Sequence, residues 1–136
     1  MAKDRRPAMS EAEADVLRVL WEHGPGTVRE IQDRLAGRPR QWSRSTVITL
    51  LQRLEKKQYV ASDQGGFAFV FRAIVSKEDV LQERLQEVAE ELYQGEPAPL
   101  VLAFAERHRF TADEVAQFRK MIEQLEQQPR RRKPKG

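Results

Sequence analysis

The sequence contains no cysteine. Disulfides, thiolate metal sites and cysteine nucleophiles are therefore excluded, while the redox compartment stays open. Histidine is almost as scarce: His23 and His108 stand apart, with no H-E-x-x-H or other metal-ligand spacing. Glycine is also sparse, and Gly65-Gly66 does not sit in the strand, glycine-rich loop and helix order that cradles phosphate. No apolar run approaches the ~18 residues of a membrane span, and no signal-peptide core is present. These absences point to a cytoplasmic protein without membrane insertion, with no metal or cofactor and no enzymatic role. The many carboxylates of residues 76–128 read as solvated outer faces of helices rather than acid–base pairs.

What is present is charge, unevenly placed. The chain has 136 residues and a net charge of +3. Residues 1–8 carry three basic side chains against one acidic, and residues 9–75 carry ten against eight. Residues 76–128 carry six against twelve, and residues 129–136 carry five basic and none acidic. This division suggests a polyanionic partner for one half only. It also suggests four regions: a basic tail at 1–8, one domain at 9–75, a helical domain at 76–128 and a disordered basic tail at 129–136.

Helix starts are well marked. Ser10 with Glu13, Thr27 with Glu30 and Thr111 with Glu114 have capping-box spacing, and Ser76 with Asp79 is a near match. The apolar period predicts helices over about 11–23, 28–36 and 44–57, the third capped by Ser43. Trp42, just before that cap, reads as a core staple. The period then changes to two. Tyr59-Val60-Ala61 and Phe67-Ala68-Phe69-Val70-Phe71, separated by Asp63-Gln64-Gly65-Gly66, read as a hairpin packed on the helices. Further helices are expected after Ser76, at about 98–106 and at about 112–127. Three helices followed by a hairpin is the order of a winged helix-turn-helix, so the expected fold is mainly α with a small β wing and a second, helical domain.

The third helix carries the chemistry. Val47, Leu50, Leu51 and Leu54 form its greasy face. Its other face bears Arg44, Ser45, Ile48, Thr49 and Gln52, with no acid before Glu55. A solvated face would more often carry Glu–Lys pairs. Small hydroxyls, an amide and an aliphatic group are what base edges in a major groove can meet, and the lack of acid suits a polyanion. Thr46, Thr49 and Gln52 are the groove candidates, with Arg44, Ser45 and Arg53 beside them. Arg38, Arg40, Lys56, Lys57 and Arg72 are candidate contacts to the DNA backbone.

The later helices have apolar stripes: Leu81, Leu85, Val88 and Leu92; then Leu100, Val101 and Phe104; then Val115, Phe118, Ile122 and Leu125. The last four step by three, four and three, as a/d positions do. They either complete one core or meet a second copy, and their acidic outer faces favour a symmetric homodimer.

These residues resemble the penicillinase and methicillin-resistance repressor family, which includes copper-responsive repressors. The matching stretches are Ser10-Glu11-Ala12-Glu13, Val19-Leu20-Trp21, Thr27-Val28-Arg29-Glu30-Ile31, Trp42-Ser43, Ser45 to Leu54, Lys56-Lys57, Val75-Ser76-Lys77-Glu78 and Leu100 to Phe104. The resemblance implies a homodimeric winged-helix repressor on a palindromic double-stranded operator. In antibiotic-responsive members it implies release when a membrane sensor metalloprotease triggers cleavage at an Asn-Phe bond. Here that position reads Ala103-Phe104. The family's glycine after the lysine pair is Gln58, and the basic residue expected in the wing is Phe67. The cysteine pattern of copper-responsive members is absent. Two other expectations stand beside this one: a repressor of the same architecture released by a small ligand, and a winged helix that binds protein without an operator.

Overall fold

The computed structural model describes residues 6–66 and 68–129. Phe67, most of the N-terminal basic tail and all five basic residues of the C-terminal tail lie outside the described residues. Six helices and one hairpin follow in the order α1 (Glu11–His23), α2 (Val28–Leu35), α3 (Arg44–Lys56), β1 (Val60–Gly65), β2 (Ala68–Ala73), α4 (Lys77–Leu92), α5 (Pro97–Glu106) and α6 (Ala112–Glu126). The chain forms two compact units that divide within α4, between Val88 and Ala89. The sequence predicts the change of domain earlier, at Ser76, where the helix starts.

Local chemistry sets the boundaries. Ser10, Thr27 and Thr111 each accept a hydrogen bond from the amide three residues on, while Glu13, Glu30 and Glu114 accept one from the cap. Ser76 and Asp79 exchange the same two bonds, at 2.9 and 3.1 Å, so the near match is a complete box. Ser43 Oγ caps α3 through the Thr46 amide at 3.2 Å. Trp42 precedes that cap and is buried with Val47, which makes a hydrophobic staple. The end of α3 is a Schellman motif: the Tyr59 amide reaches Leu54 O at 2.9 Å and the Gln58 amide reaches Glu55 O at 3.1 Å. It requires a left-handed residue, and Gln58 takes that role at φ 70°.

In the first unit, Val16, Leu17, Leu20, Ile31, Leu35, Val47, Leu51 and Leu54 from α1, α2 and α3 meet in one core with Tyr59, Val60, Phe71 and Val75. The hairpin is longer than its apolar runs suggest, because β1 continues through Asp63 and Gln64. Its register pairs Val60 with Ala73 and Gly65 with Ala68, leaving a two-residue loop that Gly66 enters at φ 86°. Gly26 exchanges backbone hydrogen bonds with Phe71 at 2.8 and 3.0 Å, which ties the wing to the turn before α2. Phe69 and Phe71 alternate along β2 but do not share one environment. Phe71 is buried on the helices, whereas Phe69, nearer the tip, is 52% exposed.

In the second unit, α5 and α6 bury none of their own residues. Phe104 stacks on His108 at 4.1 Å between ring centres, and Phe110 meets Phe118 edge-on at 4.9 Å. His108 Nδ1 also lies 2.7 Å from Phe104 O, at the end of α5.

Candidate nucleic-acid interface

The buried stripe of α3 turns the opposite side of the helix outward, between α2 and the wing. That outward side has two flanks. Arg44, Ile48, Gln52 and, at the far end, Glu55 line a cleft of about 650 Å³ with Thr27, Val28 and Arg29 of the α2 start and Ser62, Ala68, Phe69 and Phe71 of the wing. Ser45, Thr46, Thr49 and Arg53 line a shallower hollow of about 210 Å³ on the other flank. The six residues expected to meet DNA thus lie on one continuous surface, divided by the direction each faces.

Their side chains differ in freedom. Thr49, Gln52, Arg44 and Arg53 are exposed and make no side-chain hydrogen bond or ion pair within the described residues. Thr46 is half-buried, and its hydroxyl accepts from Ser43 Oγ at 2.8 Å. Ser45 Oγ lies 3.3 Å from Ser43 Oγ. Thr49 and Gln52 are therefore the uncharged polar side chains of this face whose hydrogen-bonding groups are exposed and uncommitted among the described residues.

The expected backbone contacts separate more sharply. Lys57 Nζ donates to Glu13 Oε1 at 2.7 Å and to Ala8 O at 2.8 Å. Glu13 is 1% exposed. Burial alone would raise the Glu13 carboxyl, but hydrogen bonds from Lys57 and the Ser10 amide, and the charges of Lys57 and Arg53, hold it below its ordinary value of 4.5. The Lys57 ammonium therefore completes the core of its own domain and offers little to a phosphate. Arg72 pairs with Asp63 at 2.8 Å, Arg38 pairs with Glu22 at 3.1 Å, and the Arg40 guanidinium lies 5.8 Å from the Trp42 ring centre. Lys56 is exposed and unpaired within the described residues.

Arg29 is not among the site residues that the sequence predicts. It is exposed in the first turn of α2 and lines the cleft opposite Arg44. A cation there opposes the helix dipole, so the dipole does not account for its position. Phe69 is not among the predicted site residues, because only the folded chain shows that wing and helix enclose one cleft, whereas the helical period alone puts Ile48 on the outward face.

A three-helix core, a hairpin wing and an outward face on the third helix with no acid before Glu55 define a winged-helix DNA-binding regulator of transcription. The chain belongs to the penicillinase repressor family, whose model matches residues 9–124. It is 26% identical over 118 residues to the penicillinase repressor of Bacillus licheniformis, covering 87% of this chain and 91% of that one. It is 25% identical over 114 residues to the methicillin resistance regulatory protein MecI of Staphylococcus aureus, covering 84% and 92%. Among solved structures, the Bacillus licheniformis BlaI monomer in complex with the blaP half-operator is 31% identical, with 55% of this chain and 90% of that chain covered and a TM-score of 0.47. These relatives are named as a repressor and a regulatory protein, and no helix among the described residues is long and apolar enough to cross a membrane.

Proposed function

We propose that this repressor acts as a homodimer on a palindromic operator, which it reads through α3 and from which proteolysis within its helical half releases it. The carrying observation is the outward face of α3. It presents Thr49, Gln52, Arg44 and Arg53 without an acidic neighbour in its first turns. A two-fold dimer would place two such faces on half-sites one helical turn apart, or a multiple of it.

Support for the dimer comes from the helical half. Leu92, Val101, Leu102, Phe104, Phe118, Met121, Ile122 and Leu125 are all exposed, and α5 and α6 bury nothing of their own. Short helices are marginal without an apolar face to bury, and an exposed array of this extent marks an association surface. An isologous contact buries it with no second protein.

Release by cleavage comes from the family resemblance. The Ala103–Phe104 bond lies inside α5, so a protease must first unwind that helix. Both residues are exposed, and unwinding a helix with no buried side chain opposes little packing. A membrane sensor metalloprotease is the expected partner, and its action would separate the dimerising helices from the DNA-binding unit.

Gel-shift titration of the full chain on the DNA upstream of its own gene tests the reading. Sequence-dependent binding that weakens steeply with salt, with a dimer in the complex, is the expected result. Absence of binding at low salt would leave the winged helix as a protein-contact module. Mass spectrometry of the repressor recovered from induced cells locates any cut, and an intact chain released from its operator would favour a small ligand instead.

A further inference from the structure

We propose that Ile48 is a specificity-determining residue that reads the 5-methyl group of a thymine in each operator half-site. The inference rests on the repressor reading above and says which chemical group one side chain of α3 recognises. Ile48 stands outside the buried stripe of Val47, Leu50, Leu51 and Leu54, and it is half-exposed. It lies one turn from Arg44 and one turn from Gln52, on the flank of α3 that faces the wing cleft. Arg44 and Arg29 bring two guanidinium groups to that cleft, and neither has an ion-pair partner among the described residues. Phe69 adds an exposed apolar wall. Glu55, which accepts a hydrogen bond from Ser62 Oγ at 2.9 Å, lines the far end of the same cleft. Toward the start of α3 the cleft therefore has two cations suited to a phosphate backbone and an aliphatic side chain beside the groups that would reach the base edges.

Isoleucine has no donor or acceptor to offer a base. In the major groove, the thymine 5-methyl is the apolar group that a base edge presents. An aliphatic side chain held between a basic residue and an amide, on the groove-facing side of the helix, has that methyl as its chemical match. Gln52 and Thr49 contribute polar recognition, and Ile48 distinguishes thymine from the base that lacks the methyl. Thr49 also carries a methyl and is the internal competitor for this role.

The test begins by selecting duplexes from a random-sequence library with the full-length chain. Each thymine of the selected site is then replaced singly by deoxyuridine, which removes only the methyl. Wild-type protein should lose about fourfold in affinity at one thymine per half-site, the value of one buried methyl-sized group. Ile48→Ala should bind thymine and uracil alike at that position, and Ile48→Val should fall between. Thr49→Ser, which keeps the hydroxyl and drops the methyl, should retain the wild-type difference. Uracil tolerated everywhere by wild type, a difference that persists in Ile48→Ala, or one abolished by Thr49→Ser alone would each overturn the proposal. A library that yields no enriched duplex would overturn the repressor reading itself, which separates the two failures.

Discussion

Lys56 and Lys57 are neighbours at the end of α3, yet only Lys57 is committed to the interior. Its partner Glu13 is the buried charged residue of the core, and a buried charge stripped of its partner is strongly destabilising. Lys57→Ala should therefore lower stability by about 3 kcal/mol, against almost nothing for Lys56→Ala, as measured by urea denaturation. The pH dependence has a definite sign. The Glu13 carboxyl is depressed in the folded state, so its contribution is present above 4.5 and is lost as pH falls through the lowered value. The stability difference between wild type and Glu13→Gln should narrow as pH drops below 4.5. On the outward face, Thr49→Ala should weaken specific DNA binding by about 1–3 kcal/mol without changing stability. An unchanged affinity would move base reading to another part of α3.

At the scale of elements, the wing shows how one alternating pattern divides between core and surface. Phe69 and Phe71 lie on the same face of β2, but only Phe71 is near enough to the Gly26 turn to be covered. Phe71→Ala should cost about 3 kcal/mol in stability, whereas Phe69→Ala should cost little and act on DNA binding instead. Thermal denaturation of both variants beside a gel shift distinguishes the two roles. The end of α3 offers a stabilising change. Gln58 occupies a left-handed position that glycine fills without strain, so Gln58→Gly should raise stability by about 0.5–1 kcal/mol in the same assay. The sequence marked this position as a departure, since the resembled family carries glycine there, and the Schellman geometry supplies the physical cost of the glutamine.

For the whole molecule, the question is what covers α5 and α6. Within the second unit, Leu92, Val101, Leu102, Phe104, Phe118, Met121, Ile122 and Leu125 are all exposed, an apolar surface rather than an isolated residue. If that surface joins two copies, Ile122→Asp should convert a dimer into monomers in sedimentation velocity and cut operator affinity by at least tenfold, because one half-site then binds without the other. A monomeric wild-type chain would exclude the two-fold arrangement. The N-terminal approach to α1 matters at this scale too. Tyr59 donates to Pro7 O at 2.7 Å, and Arg6 donates to Gln58 O at 2.8 Å and pairs with Glu83 of α4. These residues, read from the sequence only as part of a basic tail, strap the first unit together.

The sequence by itself determined the elements. Capping boxes, apolar periods and a paired glycine are local signals, and all six helices and the hairpin follow from them to within a few residues. It also determined the outward face of α3, because a helix that buries Val47, Leu50, Leu51 and Leu54 must present Arg44, Ser45, Thr49 and Gln52 on its other side. Tertiary structure alone decided which charges are free. Lys57 is withdrawn because Glu13, distant in sequence, is brought beside it in the core, and Arg29 gains importance because α2 and the wing enclose one cleft with Arg44. No period or spacing encodes those meetings. They depend on how three helices and a hairpin pack, and on which polar groups that packing removes from water.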